Sequence, residues 1–307
     1  MSRSPISIFS GTTGINNKVD PSRLRFDPKT GIVDLAAAVN TDVDDTGRPS
    51  RRRGRTATVR TEAWKNLFGC GSYGVGTKGD ALCVIESGLS YTAIRNINAS
   101  AKMSYVRDTD GEQDVVYYTN GHENGKIINK VSYAWSVGEK TSETKEFSAA
   151  PIGHLIEKRK RMFIAQDNIL WYSEPNSNDL YRLGTNHFRF MSRTRMVQAV
   201  AGGLWVSDSD AIYFLGGEIN PSNMEMPLQE KMADYPVSRG TGVKVPGSKI
   251  GDEGLSGIVV MFTTNKGVCI GTRDGQLINA TERKIDLPSS LTGAGLYKDG
   301  KYICVID

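Results

Sequence analysis

Residues that could carry chemistry are few in this 307-residue chain, and their spacing is unhelpful to most reactions. It has three histidines, His122, His154 and His187, and none has a second histidine or a cysteine three or four positions on. Zinc chemistry and a histidine-based triad therefore find little support. Asp108, Asp110, Glu112 and Asp114 alternate like the first ligands of a calcium loop, but the glycine falls at position four instead of six and the later ligands are missing. A solvated hairpin turn is the expectation there. Gly69-Cys-Gly-Ser-Tyr-Gly74 has the glycine spacing of a dinucleotide loop, yet Val75-Gly-Thr-Lys-Gly79 follows as another turn where a helix is required. No Walker-type phosphate loop occurs, and no pair of carboxylates can be set at a glycosidase separation from sequence. The expectation is a protein without catalytic residues, metal or cofactor.

The pointed charge features are basic: Arg51, Arg52, Arg53 and Arg55; then Lys158, Arg159, Lys160 and Arg161; then Arg189, Arg193 and Arg195. In strands, alternation sends part of each cluster to solvent. These side chains would meet acidic partner surfaces or DNA passing nearby, or else form a solvated face. Phe188 and Phe190, interleaved with them, read as sheet packing and not as base-stacking platforms. The formal net charge of +4 does not by itself imply nucleic acid. Cys70, Cys83, Cys269 and Cys304 are widely spaced, two of them inside apolar strands, and read as buried free thiols.

The elements that must position these residues are short strands. The stretch from 152 to 183 reads as an antiparallel meander, with strands at 154–157, 161–166 and 169–173 and a tight turn at Asp167-Asn168. Variants recur at 73–94, 104–119, 196–215 and 258–279, each an apolar strand, a turn of Gly, Asp or Asn, and a second apolar strand. Sheets this small cannot bury their own faces, and regular spacing of such sheets is what a β-propeller supplies. With 38% hydrophobic residues and 33 glycines the chain suits one large all-β domain. No apolar run approaches the roughly 20 residues that span a bilayer, and the first residues lack the pattern of a secretory signal.

Residues 1–34 read as an extended N-terminal arm with little regular structure of its own, and 35–307 as a single propeller. Residues 41–60 carry a hairpin signal around Thr46-Gly-Arg-Pro49, and 292–306 form a terminal hairpin across Lys298-Asp-Gly300. N- and C-terminal strands together would close the ring, giving six blades, with five the nearest alternative. Residues 217–254 form the longest stretch without a clean strand pattern and read as an irregular insertion that binds a partner.

Gly14-Ile-Asn-Asn17, Leu35-Ala-Ala-Ala-Val-Asn40, Asp42-Val-Asp-Asp-Thr-Gly47 and Arg51-Arg-Arg-Gly54 together resemble the N-terminal region of tailed-bacteriophage virion proteins built as β-propellers, including podovirus tail nozzle and hub proteins. The likeness continues in order through Val115-Val-Tyr-Tyr-Thr-Asn-Gly121, Trp135, Arg161-Met-Phe-Ile-Ala165, Leu170-Trp-Tyr-Ser-Glu-Pro175, Ile212-Tyr-Phe-Leu-Gly216 and Gly267-Val-Cys-Ile-Gly271. It implies a structural tail component, located in the virion and assembled in the host cytoplasm, forming a ring around the DNA exit channel. The implied partners are copies of itself in a cyclic ring, six by analogy, other tail or connector proteins, tail fibres, and DNA in transit without sequence specificity. Ile6, Ile8, Phe9, Met224, Met226, Met232 and Tyr235 are the candidate oligomer contacts. The alternatives are a carbohydrate-binding or glycan-hydrolysing propeller used in host attachment, and a head-to-tail connector component.

Overall fold

Strands that lie between two neighbours are apolar on both faces, and this chain has one such strand after another. The structure is a computed structural model that describes residues 11–39, 41–44, 46–51, 63–98, 100–109, 114–135, 147–219, 226–250, 254–289 and 292–307. In it β1 (Gly11–Ile15), β2 (Phe26–Asp27) and β3 (Ile32–Leu35) make a small sheet whose central strand, β3, is parallel to β1 and antiparallel to β2. β4 (Thr41–Val43) and β5 (Pro49–Arg51) pair as a hairpin. Five four-stranded meanders follow. Blade one is β6 (Trp64–Gly69), β7 (Gly74–Lys78), β8 (Ala81–Ile85) and β9 (Tyr91–Asn96); blade two is β10 (Ser104–Asp108), β11 (Val115–Thr119), β12 (Asn124–Ile128) and β13 (Val131–Tyr133). Blade three is β14 (Leu155–Arg159), β15 (Arg161–Gln166), β16 (Ile169–Tyr172) and β17 (His187–Arg189); blade four is β18 (Met196–Val200), β19 (Gly203–Ser207), β20 (Ile212–Gly216) and β21 (Leu228–Ala233). Blade five is β22 (Val243–Pro246), β23 (Ile258–Thr264), β24 (Gly267–Gly271) and β25 (Leu277–Asn279), and the hairpin of β26 (Gly293–Lys298) and β27 (Lys301–Ile306) comes last.

The first strand of each blade and β26 of the hairpin line one cavity on a common axis. The fold is an all-β propeller which, among the described residues, has six inner strands: five four-stranded blades and a two-stranded element in sixth place. Its core consists of seams between blades. Val75, Val84, Val116, Tyr118 and Ile127 fill the seam of blades one and two. Tyr117, Trp135, Ile156, Met162 and Trp171 fill the second, Phe163, Tyr172, Val197 and Val206 the third, and Trp205, Phe214, Val260 and Phe262 the fourth. Tyr297 and Tyr302 of the hairpin pack on Val245, Val259 and Met261 of blade five. No comparable cluster of described residues lies between the hairpin and blade one. Val305 there is exposed at 63%, and Leu67 and Leu296, exposed at 65% and 54%, line the axial cavity.

Two expectations are corrected. The arm at 1–34 has regular structure from Gly11 onward, because Gly31, at a φ of 67°, turns the chain so that β3 can pair with both of its neighbours. The stretch 217–254 holds β21, the outer strand of blade four, and β22, the inner strand of blade five. An outer strand meets solvent on one side, so Leu228-Gln-Glu-Lys-Met-Ala233 carries too few apolar residues to announce itself. As for closure, β4–β5 and β26–β27 each pair only with themselves among the described residues. An ion pair of 3.8 Å between Lys301 and Asp42 links the two hairpins. The small N-terminal sheet docks on 281–286 after blade five, through Asn17 N to Lys284 O at 2.9 Å, Asp286 N to Asn17 Oδ1 at 2.9 Å and Lys284 Nζ to Thr13 O at 2.7 Å.

Candidate functional site in the axial cavity

In blades two to five the residues just before the inner strand arrive at the same end of the axis, and here their polar groups meet. His154 precedes β14, and its Nε2–H donates to Thr194 O, which precedes β18, at 2.7 Å. That bond fixes the tautomer, and burial pushes the imidazole down to a pKa of about 4, against the bond's opposing pull. Arg239 precedes β22 and donates from Nη2 to His154 O at 2.9 Å. Lys102 precedes β10, and its ammonium reaches Arg239 O at 3.2 Å and Gly293 O in the terminal hairpin. Burial first, then the Arg239 charge, lower the Lys102 pKa from its ordinary value. Further along the axis Glu157 of β14, buried, accepts from Lys244 of β22 at 2.7 Å. Blades two and five are not neighbours in the ring, and neither are three and five. Bonds between them span the axial cavity of about 850 Å3 past the intervening blades.

The basic clusters fall in different places. Lys158 pairs with Asp108 of blade two, and Arg159 donates to the carbonyls of Val200, Ala201 and Gly217 at 2.9, 2.6 and 2.9 Å. Lys160 meets Glu218 at 2.5 Å. Arg161 is buried, with its guanidinium on Ser173 O at 2.8 Å and Ile219 O at 3.3 Å and packed over the ring of Tyr172. Burial makes Arg161 unsuited to the partner or DNA contact expected of it; it locks blade three to the turn that follows β20. Arg51, Arg189 and Arg193 are exposed, whereas Arg195 is half-buried and lines the axial cavity. Arg52, Arg53 and Arg55 lie outside the described residues. Phe188 and Phe190 belong to the seam of blades three and four, as sheet packing requires.

Of the candidate oligomer contacts, Ile6, Ile8, Phe9 and Met224 lie outside the described residues. Met226 is exposed, beside Leu228 at 73%. Met232 and Tyr235 are half-buried and pack against the fourth seam, covering the chain's own core. The acidic run is drawn apart, since Asp108 faces Lys158 and Asn178 while Asp114 holds Arg107 by two parallel bonds of 2.9 and 2.6 Å. Asp110 and Glu112 are outside the described residues, and no group of three or more His, Cys, Asp or Glu converges among those described. Gly69-Cys-Gly-Ser-Tyr-Gly74 forms the turn from β6 to β7, closed by Cys70 N to Tyr73 O at 2.8 Å. Cys70, Cys83 and Cys269 are buried free thiols, and Cys304 is half-buried and free.

Lys65, Lys102, Arg239 and Lys244 escaped the sequence reading, because each is a lone cation at the entrance to or within an inner strand. Their signal is phase within the repeat: once a first strand is located, the residue before it is axial.

No family model matches the chain, and no curated protein matches it. Solved structures similar to it include virginiamycin B lyase from Staphylococcus aureus, with 11% identity over 81% of this chain and 86% of that one and a TM-score of 0.45. The BBS1 N-terminal region, solved in complex with ARL6, shows 10% identity over 82% and 90% of the two chains, with a TM-score of 0.41. The extracellular domain of BT4673 from B. thetaiotaomicron shows 13% identity and a TM-score of 0.37, and the match spans 73% of this chain and 36% of that domain.

Proposed function

We propose that the chain is a structural component of a bacteriophage tail, at the nozzle or hub, and that it performs no catalysis. The observation that supports this reading is the bridged axis. Lys102 reaching to Arg239 and Gly293, and Glu157 to Lys244, tie non-neighbouring blades into a rigid block through which no duplex can pass. Used as a wall element, such a block leaves the conduit to be formed between copies, and closed cyclic symmetry then requires two different patches meeting head to tail. The ordered likeness to tail nozzle proteins supplies the setting. Exposed Met226 and Leu228 of blade four and Val305 of the terminal hairpin are apolar surface available to such contacts. Six copies follow from the resemblance. Cryo-electron microscopy of intact particles is the test: density for this propeller repeated around the tail axis is expected, and its absence from the tail ends the proposal. Saturable binding or cleavage on a glycan array would instead favour the host-attachment reading.

A further inference from the structure

We propose that the axial cavity is a binding site for a small multivalent oxyanion, a phosphate or carboxylate group held by Lys65, Lys102, Arg195 and Arg239. The proposal is independent of the tail assignment. All four residues line the cavity, whose volume of about 850 Å3 lies in the range of small-molecule sites.

The charges around the cavity do not balance locally. Lys158 is matched by Asp108, Lys244 by Glu157 and Arg107 by Asp114. Among the described residues Lys65 and Arg195 make no ion pair. Lys102 and Arg239 meet carbonyls instead of carboxylates. Asp307, in the adjoining depression with Lys65 and Lys102, is the acidic group whose charge acts on Lys102. Lys102, Arg195 and Arg239 are half-buried and Lys65 is exposed; gathering these cations with little counter-charge is costly, and an anion relieves both the partial desolvation and the mutual repulsion.

Hydrogen-bonding demand has the same sign. Arg239, which lines the cavity, has its Nε buried without a hydrogen-bond partner among the described residues. That group can only donate, so this end of the cavity is short of an acceptor. Water would satisfy the bond count and leave the charge. An oxyanion supplies several acceptors and the counter-charge together.

Calorimetry and thermal unfolding of the full chain near neutral pH test this with pyrophosphate, inorganic phosphate and citrate, each against sodium chloride at matched ionic strength. We expect at least one to bind saturably and raise Tm, with pyrophosphate against citrate separating phosphate from carboxylate preference. Arg195→Gln, at a half-buried residue with no ion pair to lose, should weaken binding about tenfold or more while leaving the anion-free Tm unchanged. Lys65→Gln should weaken it too, and Arg189→Gln, on the exposed outer strand β17, should not. No saturable binding by any of the three anions, or equal binding by wild type and Arg195→Gln, overturns the proposal.

Discussion

His154 links burial to pH. Its imidazole is neutral in the fold, with a pKa near 4 against an ordinary 6.5, because charging it would cost solvation beside Arg239 and Arg193, which outweighs the bond to Thr194 O and the pull of Asp167. Above pH 6.5 both folded and unfolded chains hold it neutral and it contributes no pH dependence. Between 6.5 and 4 the unfolded chain takes up a proton that the fold refuses, so stability falls as pH falls, by about 3 kcal/mol over that window. Denaturation of His154→Gln across this range should show a shallower acid limb than wild type; an unchanged slope contradicts the assignment. Arg161 makes a second test. Replacing it with Met leaves the Ser173 and Ile219 carbonyls without their donor and should cost about 2–3 kcal/mol, read as a lower urea midpoint with unchanged slope. Trp205 is fully buried between blades four and five, donates to Thr272 O at 2.9 Å, and lies 2.5 Å from where a side chain on Gly271 would begin. Gly271→Ala should therefore destabilise by more than the roughly 1 kcal/mol typical of a point change. A chain of wild-type Tm would show that this seam is loosely packed.

Middle strands were the legible elements, for a physical reason. Val115-Val-Tyr-Tyr-Thr119, Arg161-Met-Phe-Ile-Ala165 and Ile212-Tyr-Phe-Leu-Gly216 are sandwiched between neighbouring blades and buried on both faces, so they stand out as continuous apolar runs. Outer strands such as β13 and β21 touch solvent and read as loop; inner strands such as β6 and β22 mix cations with apolar residues because one face meets the cavity. The site was illegible for the same reason, since Lys102, Arg239 and Glu157 come together only when three separate blades meet on the axis. The terminal hairpin was legible in the sequence, and its anchoring is now explicit: Tyr302 Oη donates to Thr241 O at 2.7 Å and lies 3.0 Å from Thr263 Oγ1, while Tyr297 Oη donates to Lys249 O at 2.7 Å. Deleting 292–307 removes all three and exposes the blade-five seam. The truncated chain should lose its cooperative transition, and a soluble, cooperatively unfolding product would defeat the role given to the hairpin.

At the scale of the molecule, six inner strands among the described residues surround an axis bridged by side-chain bonds, and among those residues no apolar cluster fills the seam where the hairpin faces blade one. Both features suit a unit that works among copies, and the proposed tail wall depends on that. Single-particle cryo-electron microscopy of the purified full-length chain addresses this most directly. Closed rings are expected in which each subunit is one propeller with a bridged axis, neighbours meet through unlike patches, and the shared central opening admits duplex DNA. Monomers at every concentration, or an open axis through each propeller, would contradict the proposed tail wall.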